Sequence, residues 1–238
     1  MSSDQAREVE QQIIQFSQRV SERLERLVMP LLEPGQAGKK EQEAAAIFRD
    51  NSLALADRMI SLLDPLRDLH ETRVLVLENG TGYLARKLAE SGEVDVVSAA
   101  PTEQMAEMAN RLNPYPNIIY RSFNPYPTTE NFDLIVGTGI IACYPKDTAQ
   151  LLLQSLAAFC RRKLITELPL YRPWLRRIFH RENVSVGSEG GLDLSRFKRA
   201  ELFDLIENSC GLLISEHRTQ GGKMIFKAIR KVHQQTLN

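Results

Sequence analysis

A glycine-containing turn, Glu78-Asn79-Gly80-Thr81-Gly82, is the feature of this sequence most typical of a binding site. It follows an apolar run at 73–77 and precedes a segment with helical periodicity at 82–91. Glycines at a strand-to-helix turn let a ligand approach the backbone, and a helix N-terminus favours negative charge there. The turn lacks the third glycine of the dinucleotide fingerprint and the Lys-Ser/Thr of a P-loop. Spacing alone therefore leaves a nucleotide-like ligand and a plain tight turn both open.

A basic, aromatic segment is the second feature that could bind a ligand or a partner. Residues 161–199 hold ten Lys or Arg and four Asp or Glu, a net charge of +6. One interpretation is a lid over an anionic aromatic substrate, or a docking surface for an acidic partner. The other is an amphipathic helix with its arginines in solvent. On the first interpretation the substrate-binding residues are Arg172, Trp174, Arg176 and Arg177.

Tyr144 follows the fourth predicted strand, where it either contacts a substrate or packs on the helix after Pro145. The three cysteines, Cys143, Cys160 and Cys210, form no CxxC pair, and the four histidines show no metal-ligand spacing. We therefore expect neither a disulfide framework nor a metal site.

Alternating strands and helices must position these residues. Short β-prone runs at 73–77, 94–99, 117–120, 132–136 and 163–167 alternate with helical segments at 82–91, 102–112 and 146–161. This alternation is typical of βαβ units. Two further runs, 212–217 and 223–228, are separated by a Gly-Gly turn that predicts an antiparallel hairpin. We therefore predict an α/β fold with a doubly wound, seven-stranded, mostly parallel sheet.

Two amphipathic helices, at 4–28 and about 41–63, precede the first strand. Residues 1–65 are thus predicted to be a helical cap or oligomerisation segment, and 66–238 an α/β domain in which 169–199 form a lid or insert. The apolar stripe of the first helix suggests a partner helix or a homodimer.

Composition excludes several classes of protein. Thirty basic and thirty acidic residues give a net charge of zero, so bulk charge does not direct this chain to nucleic acid. No apolar stretch is long enough for a membrane span, and the polar N-terminus has no apolar core of a secretory signal. We expect a cytoplasmic protein of 238 residues.

From about residue 73 to 231 the chain resembles the class I S-adenosylmethionine-dependent methyltransferases. Residues 74–85, which contain the glycine turn, are similar to that family's first motif. Phe132-Asp133-Leu134-Ile135-Val136 is similar to its fourth-strand motif, and the terminal hairpin to its reversed last strand. A weaker likeness to magnesium-protoporphyrin O-methyltransferases covers about 132–180, through Tyr144-Pro145 and Thr166-Glu167-Leu168-Pro169.

The resemblance implies S-adenosylmethionine as cofactor and a small-molecule substrate. It implies a cofactor site formed by Glu78, Asn79, Gly80, Thr81, Gly82, Ala100, Pro101, Ser122, Phe123 and Gly137.

Three positions depart from the family pattern. Val76 stands where the family has an acidic residue, Glu78 where it has the first glycine, and Ala100 where it has the acidic residue that holds the ribose. Two functions therefore remain open: a small-molecule methyltransferase, or a methyltransferase-like protein that has lost methyl transfer. The second would be a binding or scaffold subunit, or would use the altered pocket for another ligand or reaction. An unrelated nucleotide-binding enzyme is a third, more distant reading.

Overall fold

A seven-stranded sheet forms the centre of this computed structural model, which describes residues 3–123, 130–170 and 197–231. Its strands are β1 (His70–Leu77), β2 (Glu93–Ala100), β3 (Ile118–Ser122), β4 (Phe132–Gly137), β5 (Cys160–Pro169), β6 (Leu212–Gln220) and β7 (Lys223–Arg230). Their order in the sheet is β3-β2-β1-β4-β5-β7-β6. Strands β1 to β5 pair in parallel, and β7 is antiparallel to both β5 and β6. The prediction of a mostly parallel sheet with one reversed strand is confirmed.

Helices connect the strands and precede them. They are α1 (Ser3–Leu32), α2 (Lys39–Ile60), α3 (Pro65–Asp68), α4 (Tyr83–Ser91), α5 (Glu103–Leu112), α6 (Lys146–Phe159) and α7 (Arg199–Asp204), which continues as a π-helical turn. In the described part of the chain, no helix is both long and apolar enough to span a membrane.

Several predicted helix boundaries are wrong by a few residues; α2, predicted at about 41–63, spans Lys39–Ile60. Helix α1 extends to Leu32, beyond the predicted end at 28, and contains Pro30 in its last turn. Proline at that place leaves only one carbonyl of the preceding turn without its helical partner, so the helix continues. Helix α6 ends at Phe159 rather than 161, because Cys160 already pairs with Phe132 of β4.

Side chains alternate between the two faces of the sheet and build a core on each. On one face, Leu75 of β1 and Ala99 of β2 pack with α1, α5 and α6. On the other, Val74 and Val76 pack with α2 and α4. The carboxyl ends of the parallel strands meet at one edge, where a ligand site of this architecture is expected.

Candidate functional site

The glycine turn connects β1 to α4 in a backbone conformation that favours glycine. Gly80 has φ +88° and Gly82 has φ +70°, both in the left-handed region. A Cβ on Gly82 would also lie 2.8 Å from the Ala109 carbonyl oxygen of α5. The turn is therefore held both by its own dihedral angles and by close packing against α5.

Side-chain hydrogen bonds fix the polar residues of this turn. The Thr81 hydroxyl donates to Asn79 Oδ1 at 2.8 Å, and Asn79 Nδ2 donates to the Ser52 hydroxyl of α2 at 3.1 Å. Asn113 Nδ2, at the end of α5, donates to the Thr81 carbonyl at 2.7 Å. Asn79 and Thr81 are both buried. Their polar groups are thus bonded within the protein.

Glu78 occupies the centre of the site and is fully buried. Its carboxylate accepts the Gly82 N–H at 3.3 Å and the Ala85 N–H at 3.1 Å, at the N-terminus of α4. Burial raises the pKa of Glu78 from the usual 4.5 to about 7, although these backbone hydrogen bonds oppose the rise. The carboxyl thus occupies the end of the helix that would otherwise be available to an anionic ligand.

The space in front of Gly80 is filled by two apolar side chains. A Cβ built on Gly80 would overlap Met105 Cε of α5 and would lie 3.6 Å from Val28 Cγ2 of α1. Met105 and Val28 each have 0% exposure. Side chains of the protein's own core therefore occupy the space that Gly80, having no side chain, leaves open to a ligand.

Helix α1 crosses this edge and is hydrogen-bonded to it. The Ser17 and Tyr144 hydroxyls are 2.8 Å apart, and the Ser21 and Thr102 hydroxyls are 2.7 Å apart. Tyr144 is 2% exposed, and burial raises its pKa to about 12, so its phenol stays protonated. The structure places Tyr144 in the core beneath α1.

Several residues that the resemblance implied for the cofactor do come together. A residual cavity of about 10 Å³ lies at the carboxyl edge. It is lined by Leu77, Glu78, Ala99, Ala100, Pro101, Phe123, Ile140, Tyr144 and Leu152. Ala100 is 1% exposed and offers a methyl group where a ribose acceptor would be needed.

Two other implied residues lie beside that cavity rather than on it. Ser122 uses its N–H to bond the Glu103 carboxylate at 3.0 Å. Gly137 ends β4, and a Cβ there would lie 2.9 Å from the Thr166 hydroxyl. Arg172, Trp174, Arg176 and Arg177 lie outside the described residues, so their proposed role stays a prediction.

Four residues of the site were not predicted from the sequence: Val28 and Met105, which fill it, and Ser17 and Ser21, which bond α1 to its edge. Val28 and Met105 read only as members of apolar helical stripes. A signal was present for the serines, because Ile13, Ser17, Ser21 and Leu24 recur on one face of α1. Small hydroxyls within an otherwise apolar stripe indicate a close, polar contact.

Among the described residues, neither the cysteines nor the other potential metal ligands indicate a reactive thiol or a metal site. Burial raises the pKa of the Cys143 thiol to about 11, so it remains a thiol at neutral pH. All three cysteines are free. Over residues 3–123, 130–170 and 197–231, no group of three His, Cys, Asp or Glu side chains could hold a metal ion.

Solved methyltransferases share this architecture. Magnesium protoporphyrin IX methyltransferase from Synechocystis PCC 6803, solved with bound S-adenosylmethionine, aligns with 85% of this chain and 89% of its own, at 17% identity and a TM-score of 0.62. Mitomycin 7-O-methyltransferase aligns with 85% of this chain and 60% of its own, at 14% identity and a TM-score of 0.59. Human N-acetylserotonin methyltransferase, in complex with S-adenosylmethionine, aligns with 74% and 52%, at 12% identity and a TM-score of 0.56.

The chain therefore has the class I S-adenosylmethionine-dependent methyltransferase fold. No protein-family model matches the sequence, and no curated protein is significantly similar to it. Structural similarity at 12 to 17% identity establishes the fold. The activity has to be inferred from the residues of the site.

Those residues do not fit S-adenosylmethionine in the observed arrangement. Clefts that hold ligands of this size typically have volumes of about 300 Å³ or more. The cavity here has about 10 Å³. Glu78 stands where the resemblance implies the first glycine of the motif, and Met105 and Val28 fill the space in front of Gly80.

Proposed function

We propose that this chain is a methyltransferase-like protein that does not transfer methyl groups and acts as a binding or scaffold subunit. The observation that carries the proposal is the filling of the glycine-turn site by Glu78, Met105 and Val28. The alternative is a small-molecule methyltransferase. It is favoured by the two left-handed glycines, which keep the backbone geometry of a ligand-binding turn.

The energy needed to open the site supports the proposal. Exposing the buried Met105 and Val28 side chains costs about 1.5–3 kcal/mol each. Moving α1 also breaks its hydrogen bonds from Ser17 and Ser21, at about 1 kcal/mol each. A total of about 5–8 kcal/mol would weaken the apparent affinity for the cofactor by a factor on the order of 10⁴–10⁶.

The basic segment gives the proposed subunit a partner of definite chemistry, an acidic protein surface. Its net charge of +6 lies in a chain with no net charge. Leu170 and Phe197, at the ends of the undescribed stretch 171–196, form a β-bridge beside the carboxyl end of β5. The two ends of this stretch therefore lie together beside the carboxyl end of β5.

Calorimetric titration with S-adenosylhomocysteine tests the loss of cofactor binding. We expect no binding heat from the natural protein at up to about 1 mM ligand, which corresponds to about −4 kcal/mol. Replacing Met105 by alanine should give measurable binding, whereas Met108→Ala, on the same helix and equally buried, should not. Micromolar binding by the natural protein would overturn the proposal in favour of the methyltransferase.

Binding to poly-L-glutamate tests the acidic partner. The double variant Arg176→Ala/Arg177→Ala should bind at least about tenfold more weakly, with a smaller salt dependence. Arg161→Ala/Arg162→Ala is a matched control, because those exposed arginines begin β5 at the opposite edge of the sheet. An equal loss in both double variants would show that only the total charge of 161–199 matters and would contradict a partner site within 171–196.

A further inference from the structure

A second and larger cavity lies on the sheet face that packs against α6. Its volume is about 240 Å³. It is lined by Leu75, Ala99, Arg121, Ser122, Phe123, Phe132 and Phe159. Ala99 and Phe123 also line the small cavity at the glycine turn, so these two side chains separate the two spaces.

The walls of this cavity are mostly aromatic. Phe132 begins β4 and Phe159 ends α6, while Phe123 follows β3. Arg73 lies over the Phe132 ring, with 5.0 Å between its guanidinium carbon and the ring centroid. Aromatic walls favour flat, apolar ligands that stack or pack edge-on against them.

One end of the cavity is polar. Arg121 bonds the Glu130 carboxylate through Nη1 at 3.2 Å and Nη2 at 2.7 Å. A guanidinium has five N–H donors, so this paired arrangement leaves Nε and one N–H on each terminal nitrogen for another acceptor. Ser122 also lines this end, but as the next residue of β3 it directs its side chain to the opposite face of the sheet.

The volume of the cavity sets the size of the ligand. Protein interiors contain few voids larger than a water molecule, and an apolar cavity of about 150 Å³ already accepts benzene. The 240 Å³ available here is about one and a half times that volume, which suits a two-ring molecule.

We propose that this cavity binds a small aromatic molecule of one or two rings whose oxygen acceptor is held by Arg121. Its rings lie among Phe123, Phe132 and Phe159. The inference is independent of the proposed loss of methyl transfer, because the cavity lies on a sheet face and does not use the glycine turn. Phe123, implied by the resemblance as a cofactor residue, thus also lines the site of a different ligand.

Calorimetric titration with 2-naphthoate tests this site, with acetate as a probe that carries the carboxylate without the rings. We expect 2-naphthoate to bind with a dissociation constant of about 100 µM or lower, and acetate not to bind. Ala99→Leu, which fills the cavity, and Arg121→Gln, which removes the guanidinium, should each weaken binding at least about tenfold.

Arg111→Gln is the matched control, because Arg111 forms a similar pair with Glu33 on the surface of α5 and lies away from the cavity. It should bind 2-naphthoate as the natural protein does. Thermal unfolding shows whether Ala99→Leu is folded, and Arg121→Gln carries the test if it is not. Absence of 2-naphthoate binding by the natural protein, or equal binding by all variants, overturns the proposal.

Discussion

Replacement of Glu78 by glutamine should remove a large part of the pH dependence of stability. The carboxyl is fully buried, and burial raises its pKa from 4.5 in the unfolded chain to about 7 in the folded protein. The folded state therefore binds this proton more tightly. Its stabilising effect is complete below pH 4.5, decreases as the pH rises towards 7, and is lost above 7.

The size of the effect follows from the pKa difference of about 2.5. At about 1.4 kcal/mol for each unit, this is about 3 kcal/mol in the free energy of unfolding. Glutamine keeps an oxygen that can accept the Gly82 and Ala85 N–H groups, but it has no proton to lose. As the pH rises from 4 to 8, the natural protein loses this contribution and Glu78→Gln does not. The difference between their free energies of unfolding should therefore shift by about 3 kcal/mol in favour of the variant.

Urea unfolding followed by circular dichroism at a series of pH values measures this difference. A change of about 3 kcal/mol corresponds to about 1 M or more in the urea midpoint. Glu90→Gln is the control, because Glu90 is an exposed carboxylate on the same helix. If the stability curves of the natural protein and Glu78→Gln run parallel from pH 4 to pH 8, the reasoning about Glu78 is refuted.

Three further predictions concern two residues of the site and one buried ion pair at the opposite edge of the sheet. Tyr144→Phe should lower the free energy of unfolding by about 1 kcal/mol, and a double-mutant cycle with Ser17→Ala should show coupling if the two hydroxyls interact. Gly82→Ala should cost about 1 kcal/mol or more in urea unfolding, because φ is +70° and α5 lies against it, whereas Gly35→Ala, in open space, should cost little. Asp68→Asn should cost about 3 kcal/mol in the same assay, since Asp68 is 3% exposed and pairs with Lys163.

Much of the fold could be predicted from the sequence because the periodicity of its segments is clear. The apolar run that became β1 and the helical stripe that became α4 each have one consistent interpretation. The Gly221-Gly222 turn likewise identified the hairpin of β6 and β7, which reverses the direction of β7. Local patterns of this kind define the elements, and the connection rules of parallel sheets then restrict their order.

The state of the candidate site could be predicted only in part. The departure at Glu78 is visible in the sequence, and the structure shows where that carboxyl lies. The filling by Val28 and Met105 is not visible, because these residues are far apart in the chain and read as ordinary core residues of two helices. Their meeting at Gly80 depends on how α1 crosses the edge of the sheet, which no local pattern specifies.

The position of α1 has a consequence for the order in which the protein can fold during synthesis. The Ser17 side chain can form its hydrogen bond only after Tyr144, 127 residues later in the chain, has been synthesised. At a synthesis rate of roughly 5–20 residues per second, this delay is about 6–25 s. Until then, α2 is the first made of the three α-helices that α1 finally contacts in the described residues, α2, α5 and α6, and the edge of the sheet is still incomplete. Stalling synthesis shortly before residue 144 should therefore leave the apolar stripe of α1 accessible to chaperones.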